Sequence, residues 1–200
     1  MEAGRPRLVL ASSSPQRRRI LGDLGLDFTV RATEVAEEDE GAPRVVASEN
    51  ALRKALAGAA APEGDEEVVL GCDTLVATEG VQIWGKPADE DAARATLRRL
   101  SGRTHEVVSG LALVRRGDVR AATEVTRVEF RTLDEDTITW YLGCGEWRGR
   151  AGGYAIQGRG AALVRRIEGD YLNVVGLPVA ALIDLWPRIM RDHASPVAPS

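Results

Sequence analysis

Lysine is almost absent from this chain. Of 26 basic residues among 200, only Lys54 and Lys86 are lysines, which leaves 24 arginines. An ammonium is a compact point charge and a guanidinium a planar fork, so these two positions stand out, with codon usage as the plain alternative. Cysteine and histidine are equally scarce, with two of each. Cys72 and Cys144 lie far apart and outside any CxxC pair, and with His105 and His193 they cannot assemble a zinc finger or an HExxH site. A reduced compartment without a disulfide is expected. Aromatic residues are 4% of the chain, the net charge is −4 and the arginine pairs are scattered, which argues against a stable nucleic-acid partner. Long apolar runs are missing too. The longest, Val174 to Trp186, is interrupted and falls short of the about 20 residues that a bilayer requires. Leu8-Val9-Leu10-Ala11 behind Arg5 and Arg7 is too short for a signal-peptide core. A cytoplasmic protein with no membrane partner is the expectation.

What is present is ordinary globular usage, 44% hydrophobic and 28% charged. It suits a single domain over residues 1–192 with a loose tail over 193–200. Strand patterns cover 7–11, 28–31, 68–77, 81–83 and 161–167, and a hairpin joins 104–116 to 119–131 about Gly117-Asp118. Helical patterns cover 15–25, 43–61, 89–100, 134–142 and 178–190. Helices and strands alternate but a hairpin interrupts them, so the expected fold class is α/β with a mixed rather than a purely parallel sheet.

The sharpest anomaly is Asp73, inside the apolar run Val68-Val69-Leu70-Gly71-Cys72-Asp73-Thr74-Leu75-Val76. A buried carboxylate without partners costs several kcal/mol, so this one needs cations, donors or water, and chemistry is the favoured reason for it. Strand alternation puts Val69, Gly71, Asp73 and Leu75 on one face, where Gly71 leaves room as a ligand-facing strand would. Ser12-Ser13-Ser14-Pro15-Gln16-Arg17 joins a strand to a helix start, with Ser14 as N-cap and Pro15 at the first helical position. Free amides and the helix dipole make that junction an anion site, or simply a capped helix. Arg17 opens the stripe Arg17, Ile20, Leu21, Leu24 and so points inward.

Gly80 to Pro87 nearly spells a P-loop, but Pro87 stands where the magnesium-binding hydroxyl belongs, so a P-loop is rejected. A Gly85-Lys86-Pro87 turn presenting one ammonium remains. Lys54 shares a helix face with Ala47, Asn50, Ala51 and Gly58, small or polar residues that leave its side chain free to reach across a cleft. Taken alone it reads as a solvated lysine, and the acidic run over 37–40 as a solvated loop, of interest only where a metal needs a carboxylate beside Asp73. The segment from Gly149 to Gly160 lacks the flanks of a dinucleotide fingerprint. Its glycines serve either turning or close approach to a ligand, and the Gln157 amide suits the edge of a base. His105, at a strand start without a third group nearby, reads as structural.

In their order, these segments resemble the Maf-like family of nucleoside triphosphate pyrophosphatases, also called septum-formation-inhibitor proteins. The match extends from about residue 7 to 186 through Leu8 to Arg17, Ala51-Leu52-Arg53-Lys54-Ala55, Leu70-Gly71-Cys72-Asp73-Thr74 and Gly85-Lys86-Pro87. It continues through Leu100 to His105, Ala151 to Gly158 and Gly169 to Pro178. The resemblance implies an elongated mixed sheet with flanking helices and two lobes around a cleft, related to inosine-triphosphate pyrophosphatases. It implies hydrolysis of a nucleoside triphosphate to the monophosphate and pyrophosphate with a divalent cation (Mg²⁺, Mn²⁺ or Co²⁺), as a house-cleaning activity, and a homodimer is compatible with it. By the same resemblance Asp73 is the proton acceptor and a metal residue, with Glu37 as the second. Ser12, Ser14, Arg17, Lys54 and Lys86 hold the triphosphate. Gln16, Thr74 and Gln157 set base choice. Thr74 and Gln157 match the branch acting on dTTP and UTP, while Gln16 stands where that branch has Arg. The branch acting on 7-methyl-GTP, with Trp, Gln and Glu at these positions, is less similar. A regulator that binds nucleotide or nucleic acid without hydrolysing it is the alternative, and it would require a basic, aromatic-rich surface.

Overall fold

The computed structural model describes residues 6–63, 66–78 and 81–193. In chain order its elements begin with β1 (Arg7–Leu10), α1 (Pro15–Asp23), β2 (Phe28–Val30), α2 (Pro43–Ala59), β3 (Glu67–Thr78) and β4 (Gln82–Trp84). There follow α3 (Glu90–Leu100), β5 (Thr104–Arg115), β6 (Asp118–Phe130) and α4 (Glu135–Leu142). After two short 3₁₀ turns come β7 (Val164–Glu168), α5 (Tyr171–Val175), α6 (Val179–Leu185) and α7 (Ile189–His193). Ser14 caps α1 as expected, and Asp89 and Asp134 cap α3 and α4, each accepting from the amide three residues on.

Among the described residues seven strands form one sheet in the order β2-β1-β3-β5-β6-β7, with β4 paired to β3. β1 runs parallel to β2 and β3, and the other pairings are antiparallel, so the sheet is mixed as expected. β3 and β5 hold the molecule together, paired without a break from Val69↔Val114 to Ala77↔Glu106. Each feeds two cores. Val76 and Val107 join α3, α4 and Trp147 at one end, while Leu70, Cys72, Leu111 and Leu113 join β1, α1 and α6 at the other.

These two cores are the two lobes. On its other edge β3 is paired to β1 only as far as Leu70 and to β4 only from Val76. The stretch Gly71 to Leu75 therefore has no ladder partner on that side, and Asp73 lies in its middle. Because alternate side chains leave a strand on opposite faces, Asp73 and Thr74 point to different sides of the sheet. Only an uncovered edge lets one ligand reach both.

Helix α2 lies unusually close to the sheet. A Cβ on Gly71 would come within 2.1 Å of the Ala51 carbonyl oxygen, and one on Gly110 within 2.1 Å of the Ala47 oxygen. This corrects the reading of Gly71 as room for a ligand: helix backbone occupies that room.

Several boundaries also differ from the sequence expectations. The hairpin turns at Arg116-Gly117, both at positive φ (48° and 84°), since Arg115 pairs with Asp118. β7 begins at Val164 because residues 158–163 are taken up by a 3₁₀ turn. The last helix is broken into α6 and α7: Trp186 precedes Pro187 and is pushed to φ −136° and ψ 78°. His193 was expected to open the loose tail, but it is buried at the end of α7 with its ring 4.9 Å from that of Trp186. The rest of that tail, 194–200, lies outside the described residues, as does Gly80 at the head of the P-loop-like stretch.

Candidate active site

A cleft of about 650 Å³ opens at the uncovered edge of β3. All ten residues singled out in the sequence line it: Ser12, Ser14, Gln16, Arg17, Glu37, Lys54, Asp73, Thr74, Lys86 and Gln157. They fall into four groups.

The first is on the α2 face. Asp73 is 5% exposed and Lys54 8%. The Lys54 ammonium donates to Asp73 Oδ1 at 2.6 Å and lies 2.7 Å from Glu37 Oε1. Lys54 is therefore held between two carboxylates rather than left free to reach across the cleft. Asn50 completes the group. Its Nδ2 donates to Asp73 Oδ2 at 3.1 Å and to the Glu38 carbonyl at 2.9 Å, and its Oδ1 accepts from the Glu38 amide at 2.8 Å. The acidic loop is thus tied down beside Asp73, with Glu38 paired to Arg53 at 2.7 Å. Asn50 was visible in the sequence only as a neighbour of Lys54, one helical turn earlier on the same face.

The second group lies on the other face, at the start of α1. Arg17 is buried and its guanidinium is pinned on three sides, as its place on the inward stripe requires. It donates to Ser12 Oγ at 3.0 Å, Thr74 Oγ1 at 3.1 Å and the Gly176 carbonyl at 2.9 Å. Thr74 also shares a hydrogen bond with Ser109 at 2.8 Å, so it sits on the cleft floor against Arg17. Ser14 caps α1 and donates to Gln16 Oε1 at 3.0 Å. No acidic residue occupies the first turn of α1, so its positive end is uncompensated by side chains there.

Gln16 and Gln157 form the third group. Both also line a recess of about 110 Å³ with Leu24, Leu172 and Val175, beside the main cleft. Lys86 is the fourth. It is exposed, just after β4, in a turn anchored where the Gly152 amide donates to the Gly85 carbonyl at 3.0 Å.

Two further features lie outside the cleft. His105 is buried, shares a 2.8 Å hydrogen bond with Tyr154 Oη and packs edge-on against Phe130, and burial pulls its pKa down to about 4. Cys72 and Cys144 are both free thiols. Among the described residues no helix is long and apolar enough to cross a membrane.

A model of the Maf-like protein family matches residues 7–188 of the chain. A dTTP/UTP pyrophosphatase of Pyrococcus furiosus is 42% identical over 179 residues, covering 90% of this chain and 93% of that protein. Another, of Symbiobacterium thermophilum, is 45% identical over 181 residues, covering 90% and 92%. A third, of Deinococcus radiodurans, is 43% identical over 181 residues, covering 90% and 91%. Among solved structures, the Ham1 protein of Staphylococcus aureus matches with a TM-score of 0.45 and 16% identity, over 62% of this chain and 71% of that one.

Proposed function

The chain belongs to the Maf-like family, and from that premise we propose that it hydrolyses a nucleoside triphosphate, dTTP or UTP first among them, to the monophosphate and pyrophosphate. The observation that carries the reading is the meeting of Asp73, Glu37 and Lys54 at one point of a cleft that also holds the Arg17 corner and the uncompensated start of α1. The names of the relatives support the same activity, and they lend nothing to a regulator without turnover. A house-cleaning role and a cytoplasmic location belong to the same proposal.

A divalent cation fits the donor set only together with the substrate. Among the described residues no three His, Cys, Asp or Glu side chains converge. Two carboxylates do converge, on the Lys54 ammonium, and a magnesium-like ion is commonly held by one or two carboxylates plus phosphate oxygens. Asp73 and Glu37 would hold it, and its chemistry there would be to acidify water and offset phosphate charge.

The chain's own residues supply the rest. Asp73 Oδ2, steadied by the neutral Asn50 amide, accepts the proton of the attacking water. Lys54 keeps both carboxylates aimed at one place and puts an ammonium beside the incoming phosphates. Ser12 and the Gln16 backbone amide at the start of α1 present donors to a phosphate, Ser14 joins them when its hydroxyl turns from Gln16, and Lys86 adds an ammonium from the turn after β4. Arg17 acts from beneath, holding Ser12 and Thr74 in place. Gln16 and Gln157, at the mouth of the small recess, are positioned to read a base edge.

The test is pyrophosphate release from dTTP, UTP, CTP, GTP and 7-methyl-GTP with Mg²⁺, Mn²⁺ or Co²⁺. Turnover should depend on the metal and vanish with a chelator. Asp73→Asn should lower it on the order of 10²- to 10⁴-fold while the protein remains folded. Absence of turnover on every triphosphate, or a fully active Asp73→Asn protein, overturns the reading.

A further inference from the structure

Four cations line the cleft: Arg17, Lys54, Lys86 and Arg150. Arg17 is hydrogen-bonded on three sides and Lys54 is ion-paired twice. Arg150 is different. It is half-buried, and the loss of water lowers its pKa, yet its guanidinium makes no hydrogen bond or ion pair among the described residues. Glu146 is near enough to be felt electrostatically, but its two carboxylate oxygens accept from the backbone amides of Arg159 at 3.0 Å and Gly160 at 3.1 Å, and it forms no ion pair with Arg150. A guanidinium partly withdrawn from water and without a direct ion pair or hydrogen bond retains donors for an incoming anion.

The backbone that carries it is anchored. The Arg150 amide donates to the Trp147 carbonyl at 3.2 Å, and the Arg150 carbonyl accepts from Gly153 at 3.0 Å. The turn that follows is pressed onto β3, since Gly152 sits at φ +68° with Val76 so near that a Cβ would fall within 3.0 Å of it. The same glycine donates to Gly85, which ties this turn to the one bearing Lys86. Arg150 and Lys86 thus stand on two turns joined to each other, and neither makes an ion pair among the described residues.

We infer that Arg150 is a further substrate-holding residue, which together with Lys86 takes the phosphates that depart as pyrophosphate. This rests on the pyrophosphatase reading. The planar fork of Arg150 suits bidentate contact with phosphate oxygens, and a guanidinium carried on this turn offsets the charge that grows on the leaving group as the α-phosphorus–oxygen bond breaks. The Gly-rich segment then has a definite use: its glycines allow a tight turn against β3 that aims an arginine into the cleft.

The experiment is calorimetric binding of inorganic pyrophosphate to the wild-type protein and to the Arg150→Gln, Arg150→Lys and Lys86→Gln variants, alongside steady-state kinetics. Arg150→Gln should weaken pyrophosphate binding by about ten- to hundredfold and lower kcat/KM for every triphosphate alike. Arg150→Lys, which retains the charge, should recover part of the affinity. Unchanged pyrophosphate affinity in Arg150→Gln overturns the inference, and so does a loss confined to the preference among bases. If the wild-type protein binds pyrophosphate but releases none from any triphosphate, the pyrophosphatase reading fails, while the affinity comparison still decides the role of Arg150.

Discussion

Replacing Gly71 by alanine tests whether the contact between α2 and the sheet sets the catalytic geometry. The added methyl would meet the Ala51 carbonyl oxygen at 2.1 Å, the Ala55 nitrogen at 2.6 Å and the Ala55 Cβ at 2.9 Å, where ordinary contacts begin near 3.4 Å. All three are parts of the helix itself, so no flexible side chain can swing away. Relief requires α2 to lift from β3 by about 1 Å, and close-packed interiors yield that much only at a cost. The expected destabilisation is about 1–3 kcal/mol, the usual range for forcing a methyl into a filled site. The functional effect should be larger. Asn50 and Lys54 ride on α2, and the Asn50–Asp73 hydrogen bond, already 3.1 Å long, has no slack to absorb the movement. The long Lys54 stem can follow, but the short Asn50 side chain cannot. A misplacement of about 1 Å at a reacting group costs on the order of 10²-fold in rate. Urea unfolding and pyrophosphate release measure the two effects, with Gly22→Ala as the control. Gly22 is inside α1, and an added Cβ there meets no described atom within 4 Å. Alanine should therefore stabilise at that position by about 0.5–1 kcal/mol, through backbone entropy. A Gly71→Ala protein as stable and as active as the wild type would refute the argument.

The two lysines should not tolerate arginine. At Lys54 a wide fork has to fit between carboxylates 2.6 and 2.7 Å from the present nitrogen, so Lys54→Arg should lose both activity and stability, and Lys86→Arg activity alone. Unchanged kinetics in both would return the scarcity of lysine to codon usage. Arg31→Met should destabilise by about 3–5 kcal/mol in chemical denaturation, because it strands the buried Glu67 carboxylate that Arg31 now grips at 2.9 and 3.0 Å. His105 gives a pH signature. Its folded pKa, about 4, is below the ordinary 6.5, so between these values the unfolded chain binds the extra proton and stability falls as pH drops from 6.5 toward 4. At about 1.4 kcal/mol per unit the full loss is on the order of 3 kcal/mol, and it does not grow below pH 4. His105→Phe should remove this component from the stability–pH curve, leaving the acid loss due to carboxylates such as Glu67, whose pKa Arg31 holds down. Equal slopes for the two proteins between pH 6.5 and 4 would contradict the assignment.

Much of this protein is written locally. Ser14 announces a helix start because a cap and the amide it serves lie within one turn of each other. Asp73 stands out because a carboxylate in an apolar strand conflicts with its immediate neighbours, and Arg17 because a period of 3.6 puts it on the inward stripe. The ordered motifs carried the family and the residues of the cleft, all of which line it. Local pattern could not say what meets what. Lys54 reaches Asp73 across 19 residues of chain and Asn50 across 23, contacts decided by how closely α2 settles on Gly71 and Gly110. The same closeness turned Gly71 from an opening for a ligand into a seat for a helix. Arg150 carried no signal in the sequence beyond being one arginine among 24. Its half-buried place in the cleft without an ion pair exists only once the surrounding elements are packed. Caps and periodicities act over a few residues and survive in the sequence, whereas pairing and desolvation depend on every element packed around a group, and only the assembled fold determines them.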